Sequence, residues 1–302
     1  MRLIKFFINA VFRLVGVELS IVDGSRVVMR RVGDRLLTET QADIKDLIAS
    51  KSEIAELLED EKLKNQKRSQ QLAGLLGVLK AFPENTDNAI QLYEEINGQL
   101  AQDFLALCVS DFKSKGFFVE FGATNGLDLS NTHLLEKRFK WSGIVAEPGA
   151  IWQNDLTLNR TCHIERGAVW SESGIKLSFT EASVPELSTI SMYKETDFHS
   201  RIGIEYDVAT ISLMDLLKKY NAPKRIDFMS VDTEGSEYEI LSNLDFSEYS
   251  FSLVCIEHNF GPQREALNAL MNSHGYKRIL EEYSQFDDWY INSEIYNARF
   301  KN

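Results

Sequence analysis

Short apolar runs alternate with helical patterns from about residue 116 to the end of the chain. The runs cover residues 117–121, 143–146, 162–170, 226–231 and 251–256, with two weaker ones at 276–280 and 289–291. Between them, residues 130–138, 150–159, 213–220, 236–244 and 264–273 have the spacing of helices. Strands that are apolar almost throughout are typical of a parallel sheet whose two faces are covered by helices. The pattern therefore predicts an α/β domain.

Acidic residues follow nearly every one of these predicted strands. Glu120 and Glu147 end the first two strands, Asp232 follows the strand at 226–231, and Glu257 and His258 follow the strand at 251–256. Parallel α/β sheets bind their ligands outside the carboxyl ends of the strands. The sequence therefore predicts a site at this edge that holds a cation or a polyhydroxyl ligand.

The turn after the first strand reads Glu120-x-Gly122-x-x-x-Gly126. It is neither the Gly-x-Gly-x-x-Gly dinucleotide fingerprint nor a phosphate loop, because no Gly-Lys-Ser/Thr follows. The Glu120 carboxylate would repel a pyrophosphate and favours an ammonium or sulfonium group. Glu147 stands where an acid accepts hydrogen bonds from a ribose diol. A ribose with a cationic amino-acid tail is S-adenosylmethionine, and a purely structural strand–helix connection is the alternative for the turn.

Three blocks of the sequence carry a family resemblance: FVEFGATNG at 118–126, GIVAEP at 143–148 and IDFMSVDTEGSE at 226–237. They resemble the FkbM-type family of S-adenosylmethionine-dependent methyltransferases, over roughly residues 85–295. Glu120 replaces the usual Asp of the first block, and Ser230 replaces the usual basic residue of the third. The resemblance implies a Rossmann-like, seven-stranded class I methyltransferase sheet whose last strand is antiparallel. It also implies O-methyl transfer, often to sugars or glycan-derived compounds.

The same resemblance implies which residues hold the cofactor. By position, the glycine turn from Glu120 to Gly126 holds the methionine part of S-adenosylmethionine, Glu147 holds the ribose, and residues 167–169 border the adenine. The full expected set is Glu120, Gly122, Ala123, Thr124, Asn125, Gly126, Glu147, Pro148, Gly167, Ala168 and Val169.

Candidate catalytic residues come from the ends of the later strands. Methyl transfer is an in-line displacement, and a base helps a hydroxyl group to act as the nucleophile. Asp232 is the first candidate, because its strand end should lie closest to the methyl group, and His258 is the second, because histidine titrates near neutral pH. Glu234 is a further catalytic candidate, with bracing of the turn before Ser236 as its alternative. Asp232, Glu257 and His258 have groups that can ligate a divalent metal, but no metal is predicted.

Residues 180–207 show little periodicity and lie after the third predicted strand. An insertion of this length predicts a lid over the acceptor. Tyr193, His199 and Arg201 in this segment are candidate contacts to a sugar or an acidic glycan, with ordinary surface positions as the alternative.

The first part of the chain differs from the rest. Residues 1–35 hold seven basic and three acidic residues in an apolar context, whereas the whole chain has a net charge of −12. Such a segment, assigned to residues 1–38, fits peripheral contact with anionic lipid at the inner face of a membrane, or a helix docked on the protein or on a second subunit.

Residues 39–82 predict a long helix. In one heptad frame Ile44, Lys51, Leu58, Asn65 and Leu72 share a position, which makes a coiled coil one interpretation and a helix packed on its own domain the other. The coiled-coil interpretation predicts a homo-oligomer. A break around Pro83 places the start of the methyltransferase domain, residues 83–302, at that point.

Composition excludes several classes of protein. The acidic charge argues against binding to nucleic acid. The chain has three scattered cysteines without a Cys-x-x-Cys pair, which indicates a reducing, cytoplasmic environment. It contains no run of 18 uncharged apolar residues, so no transmembrane helix is predicted. The sequence therefore predicts an S-adenosylmethionine-dependent O-methyltransferase for a sugar or glycan acceptor. The alternatives are a non-catalytic scaffold protein of a glycan-assembly complex, and a methyltransferase for a non-sugar small molecule or a peptide.

Overall fold

A computed structural model describes residues 58–59, 61–195 and 199–301 of the chain. The chain divides into two compact units, Met1–Gln66 and Lys67–Asn302. In the first unit, residues 58–59 and 61–66 are helical. The expectations for the basic segment at 1–38, and for the heptad pattern before residue 58, fall outside the described residues. No helix in the described ranges is long and apolar enough to cross a membrane.

A seven-stranded sheet forms the centre of the second unit. Its strands are β1 (Phe117–Phe121), β2 (Ser142–Ala146), β3 (His163–Glu165), β8 (Arg225–Val231), β9 (Ser250–Glu257), β10 (Tyr276–Ile279) and β11 (Asp287–Asn292). They lie in the order β10-β11-β9-β8-β1-β2-β3. Strand β11 is antiparallel to both of its neighbours, and the other strand pairs are parallel. The α/β fold and the antiparallel last strand that the sequence predicted are confirmed.

Helices cover both faces of this sheet. They are α1 (67–81), α2 (Thr86–Leu92), α3 (Gln102–Val109), α4 (His133–Phe139), α5 (Gln153–Asn159), α6 (Leu213–Lys219), α7 (Glu237–Leu241), α8 (Arg264–Ser273) and α9 (Ser293–Phe300). Neighbouring strand residues point to opposite faces. Phe118 therefore packs in the cluster with α1 to α5 and α9, and Val119 packs in the cluster with α6 to α8. This two-sided burial explains why the strands are apolar almost throughout.

A second, four-stranded sheet is inserted between β3 and α6. Its strands are β4 (Ala168–Trp170), β5 (Lys176–Ala182), β6 (Thr189–Ile190) and β7 (Gly203–Ser212), in the order β4-β7-β5-β6. The prediction of one strand at 162–170 is wrong, because the run splits into β3 and β4, which belong to different sheets. Residues 180–207, where the sequence shows little periodicity, contain regular strands, since β5 and β7 form a long antiparallel pair. We call this structure the inserted sheet.

Helix α1 packs within the second unit, to which it belongs. Its Leu75 and Val78 are buried in the same apolar cluster as the buried helix α3, while Leu72 and Leu76 are exposed. From Lys67 onward, the helix thus packs on its own domain, as one of the two interpretations held. The second unit begins at Lys67, whereas the break at Pro83 suggested a boundary at residue 83.

Candidate active site

The glycine turn after β1 lies directly against the end of β8. Gly122 has a φ of +72°, and a Cβ atom there would lie 2.1 Å from the main-chain oxygen of Asp232. The Gly122 amide donates to the Ala146 carbonyl at the end of β2. The turn therefore joins the ends of three neighbouring strands, which only a residue without a side chain allows.

Glu120 lies beneath this turn in a buried polar network. Its carboxylate accepts hydrogen bonds from the Ser130 hydroxyl (3.0 Å), the Asn131 amide (2.6 Å) and the Thr132 hydroxyl (2.5 Å). The fully buried guanidinium of Arg160 lies 3.2 Å from it and also binds Glu136. Glu120 is thus charge-balanced within the protein, and its network fixes the turn from below. Contact between Glu120 and the cofactor stays a prediction.

Glu147 connects the turn to the next loop. Its carboxylate accepts from the Thr124 amide (2.9 Å) on one side and from the Gly149 amide (2.7 Å) on the other. Burial raises the pKa of Glu147 to about 7, although both amides oppose that shift. Each oxygen keeps a further lone pair, so the carboxylate can also accept from a hydroxyl group. The half-buried Pro148 follows it in the loop.

The predicted adenine segment contributes one residue to an open cleft. Gly167 lines a cleft of ≈ 530 Å³ together with Glu165, Thr210 and Lys219, among others. Its amide donates to the Glu165 carboxylate at 3.0 Å. Ala168 and Val169 are buried in β4 and do not line this cleft. The structure therefore leaves Gly167 as the accessible member of that segment.

Three carboxylates meet where β8 and β9 end. Asp232, Glu234 and Glu257 each have an oxygen within 4.8 Å of the others. Burial, and next the neighbouring acids, raise the pKa of both Asp232 and Glu257 well above the ordinary carboxyl values. In the described part of the chain this is the group that could hold a metal ion, and it contains Glu234 where the sequence offered His258 as a candidate ligand.

His258 faces away from these acids. Its Nδ1 accepts a hydrogen bond from the Phe260 amide (2.9 Å), and its Nε2 lies 3.7 Å from Asp288. Burial lowers the pKa of His258. The Nδ1 lone pair is therefore already used by the Phe260 amide, and a catalytic role for His258 stays a prediction.

The sequence left open whether Glu234 is a catalytic residue or braces the turn before Ser236. Glu237 braces the turn before α7, since its carboxylate accepts from the amides of Thr233 (2.9 Å) and Gly235 (3.0 Å). Glu234 instead pairs with the buried guanidinium of Arg201, which lies just before β7. Arg201 is consequently not a surface residue.

A small cavity opens beside these acids. The residues that line it include Tyr193 of the 3₁₀ turn after β6, Glu234, Glu257 and Leu267. Its enclosed volume of ≈ 90 Å³ is below the roughly 300 Å³ of ordinary ligand pockets, so only a small part of a ligand enters it. His199, the third lid candidate, is exposed. Tyr193 is therefore the predicted lid residue that reaches the cavity.

Two buried acceptor atoms test whether S-adenosylmethionine suits this site. The side-chain oxygens of Asn131 and Gln153 are buried without a hydrogen-bond partner. The main-chain amide of Asn131 donates to Glu120, and the Gln153 side chain donates to the Glu147 main-chain carbonyl (2.7 Å). Buried polar atoms without partners are rare and call for a donor. A ligand with an ammonium group and hydroxyl groups can supply such donors.

Several residues of the site carried no signal in the sequence. Arg160 directly follows the C-terminal end of α5, and the residue that it binds, Glu120, is forty positions away in the sequence. Glu181 and Tyr206 bind the loop after β2 from the inserted sheet. The alternation of Ile204, Tyr206 and Val208 is the pattern from which β7 could have been found.

Comparison with known proteins places this site in a family. A sequence model described as the methyltransferase FkbM domain matches residues 120–278, which include the glycine turn, Glu147 and the three carboxylates. Among solved structures, the precorrin-6y C5,15-methyltransferase of Geobacter metallireducens GS-15 is 9% identical over 58% of this chain and 70% of that chain. Its TM-score is 0.34, a likeness too low to decide anything here. No curated protein matches the chain.

Proposed function

The chain belongs to the FkbM methyltransferase family and is a methyltransferase, and from that premise we propose that it methylates a hydroxyl group of a sugar or glycan acceptor with S-adenosylmethionine. One observation carries the proposal. The Glu147 carboxylate is held between the Thr124 amide of the glycine turn and the Gly149 amide of the next loop. This puts an acceptor for ribose hydroxyls beside a turn that suits a cationic ligand.

The cofactor supplies a methyl group bound to a positively charged sulfur when it is present. In our proposal the glycine turn holds its methionine part, Glu147 with Pro148 holds its ribose, and Gly167 borders its adenine. Ala168 and Val169 are buried in β4, and we expect them to pack behind the proposed adenine site. The unpartnered oxygens of Asn131 and Gln153 support this arrangement, because they can accept from donor groups of a ligand, while the nitrogens of the same residues bind Glu120 and the Glu147 main chain.

Asp232 is the proposed base. Its main chain touches Gly122, so its side chain is next to the place proposed for the reactive part of the cofactor. A carboxylate whose pKa is raised by burial and neighbouring acids accepts a proton more readily at neutral pH. Glu257 lies against Asp232, and Glu234 is held by Arg201. We therefore assign proton acceptance to Asp232 and a supporting electrostatic role to the other two.

The surroundings of the cavity support a sugar as the acceptor. Carboxylates at its wall accept hydrogen bonds from hydroxyl groups. Phe260 lies between Asn259 and Gly261, which both line the cavity, and is 68% exposed. Its φ of +56° is rare for a bulky residue, and strain of this kind clusters at functional sites. An exposed aromatic ring offers an apolar face to the carbon face of a sugar ring.

The N-terminal helices are the proposed site of self-association. Leu72 is 44% exposed and Leu76 is 56% exposed on α1. Two large apolar side chains one helical turn apart favour contact with another apolar helix face. We propose a second copy of the chain as the partner.

Calorimetric titration tests the cofactor assignment first. S-adenosylmethionine and S-adenosylhomocysteine would be titrated into wild-type protein, Glu147→Ala and the control Glu205→Gln. We expect both compounds to bind the wild type and the control, and binding to Glu147→Ala to be lost. A folded wild type that binds neither compound would refute the assignment and favour a scaffold role.

A further inference from the structure

Three consecutive main-chain amides after β2 are each bound by a side chain. The Gly149 amide donates to Glu147 (2.7 Å), the Ala150 amide to the Tyr206 hydroxyl (2.8 Å), and the Ile151 amide to Glu181 (3.2 Å). These amides begin the short 3₁₀ helix Ala150–Trp152, whose first donors have no partner within the helix. Two of the three acceptors therefore come from the inserted sheet.

Tyr206 and Glu181 form one unit on that sheet. Strands β5 and β7 pair with Phe179 opposite Tyr206 and Glu181 opposite Ile204, so Tyr206 and Glu181 are diagonal neighbours on one face. The Tyr206 hydroxyl donates to the Glu181 carboxylate at 2.7 Å. Its ring packs on Phe179 with centroids 5.7 Å apart. The hydroxyl thus has a fixed direction toward the loop after β2.

The edge strand β6 of the inserted sheet and the segment after it are also attached to the site. The Thr189 hydroxyl of β6 donates to the Glu234 carbonyl (2.9 Å), and Arg201 pairs with the Glu234 side chain. The sheet is therefore anchored at the loop after β8, and from that anchor it reaches the loop after β2 through Tyr206 and Glu181. A sheet anchored in this way can hold the second loop in one position.

We infer that Tyr206 and Glu181 are positioning residues for the cofactor, which act by fixing the loop that carries Glu147. This inference rests on the proposed function, because it assumes that Glu147 binds the ribose. Neither residue touches the reacting atoms in this account. They hold the Ala150 and Ile151 amides, and these in turn hold the main chain directly after Glu147 and Pro148.

The variants Tyr206→Phe and Glu181→Ala test the inference, with Glu205→Gln as the control. Glu205 neighbours Tyr206 on β7, but it binds the exposed Lys194 at 2.9 Å. Tyr206→Phe removes the acceptor of the Ala150 amide, and Glu181→Ala removes the acceptor of the Ile151 amide. Loss of such a hydrogen bond predicts affinity for S-adenosylmethionine that is about five- to tenfold weaker in each variant. The acceptor KM, and kcat at saturating cofactor, should stay near wild type. The double variant should lose little more than the weaker-binding single variant, because both residues belong to one network.

A second readout needs no cofactor. Hydrogen exchange of the peptide that contains the Ala150 and Ile151 amides should be faster in both variants than in wild type, and unchanged in Glu205→Gln. Wild-type cofactor affinity in both variants would overturn the inference alone, and so would equal weakening in the control. A wild type that does not bind S-adenosylmethionine would overturn the proposed function and the inference with it.

Discussion

Replacement of Gly122 by alanine should lower the free energy of unfolding more than the same replacement at a glycine that has a positive φ but free space around it. At Gly122 the new methyl group would lie 2.1 Å from the Asp232 carbonyl oxygen, where 3.4–4 Å is an ordinary contact. The main chain would have to move by about 1 Å, because a carbonyl group cannot rotate aside as a side chain can. Gly174 is the matched control, since its φ is +83° and a Cβ atom there meets nothing within 4 Å.

The two variants separate the free-energy cost of a positive φ from the cost of the steric clash with Asp232. A left-handed conformation costs alanine about 1–2 kcal/mol, which the stiffer unfolded chain offsets in part, so Gly174→Ala should lose about 1 kcal/mol. Gly122→Ala carries the same cost, plus about 1–3 kcal/mol for overpacking, which gives about 2–4 kcal/mol. For a unit of this size, Tm should fall by about 2–4 °C in the control and by about 4–16 °C in Gly122→Ala.

Urea unfolding followed by circular dichroism, together with thermal unfolding, measures both variants. Gly174→Ala should also keep wild-type affinity for S-adenosylmethionine, whereas Gly122→Ala should lose it, because the turn moves away from Asp232. Equal destabilisation of the two variants, within about 0.5 kcal/mol, would show that the contact with Asp232 does not constrain the turn.

Three further perturbations examine other parts of the account. Burial raises the Glu147 pKa to about 7, so ionisation of Glu147 destabilises the folded state as the pH rises from the unfolded value near 4.5 to 7. In urea unfolding between pH 5 and 8, Glu147→Gln should remove about 2–3 kcal/mol of that decline in stability, and parallel pH curves would contradict this expectation. Phe260→Ala should raise the KM for a sugar acceptor about five- to tenfold, with cofactor affinity unchanged and Phe260→Tyr near wild type; an unchanged KM would exclude the ring from acceptor binding. Leu72→Glu combined with Leu76→Glu should reduce the mass measured by light scattering to that of one chain, and an unchanged larger mass would place the interface elsewhere.

Local patterns in the sequence predicted much of the central sheet. The strand at 117–121 and the helix at 264–273 have the predicted bounds, because each combines a clear apolar pattern with a turn or glycine at its end. The acids at the strand ends also lie at one edge of the sheet, as the parallel arrangement requires. These features depend on neighbours in the sequence and on general rules of sheet topology.

The inserted sheet and the ion pairs depended on contacts distant in sequence. Arg160 binds Glu120, and Arg201 binds Glu234 from thirty-three positions away, and no spacing rule relates such residues. The alternation in β7 was available, but the edge strand β6 has only two residues and gives no period. Glu237 rather than Glu234 braces the turn before α7, because only the three-dimensional path of the turn decides which carboxylate faces the amides.

Transfer of a radiolabelled methyl group from S-adenosylmethionine to a panel of sugars, glycans, small phenols and peptides tests the central claim most directly. The account predicts label on a sugar hydroxyl with wild-type protein, and a loss of at least about a hundredfold in rate for Asp232→Asn at unchanged cofactor affinity. The control Glu205→Gln should be as active as the wild type. Label found only on the non-sugar acceptors, or a wild-type rate in Asp232→Asn, would contradict it.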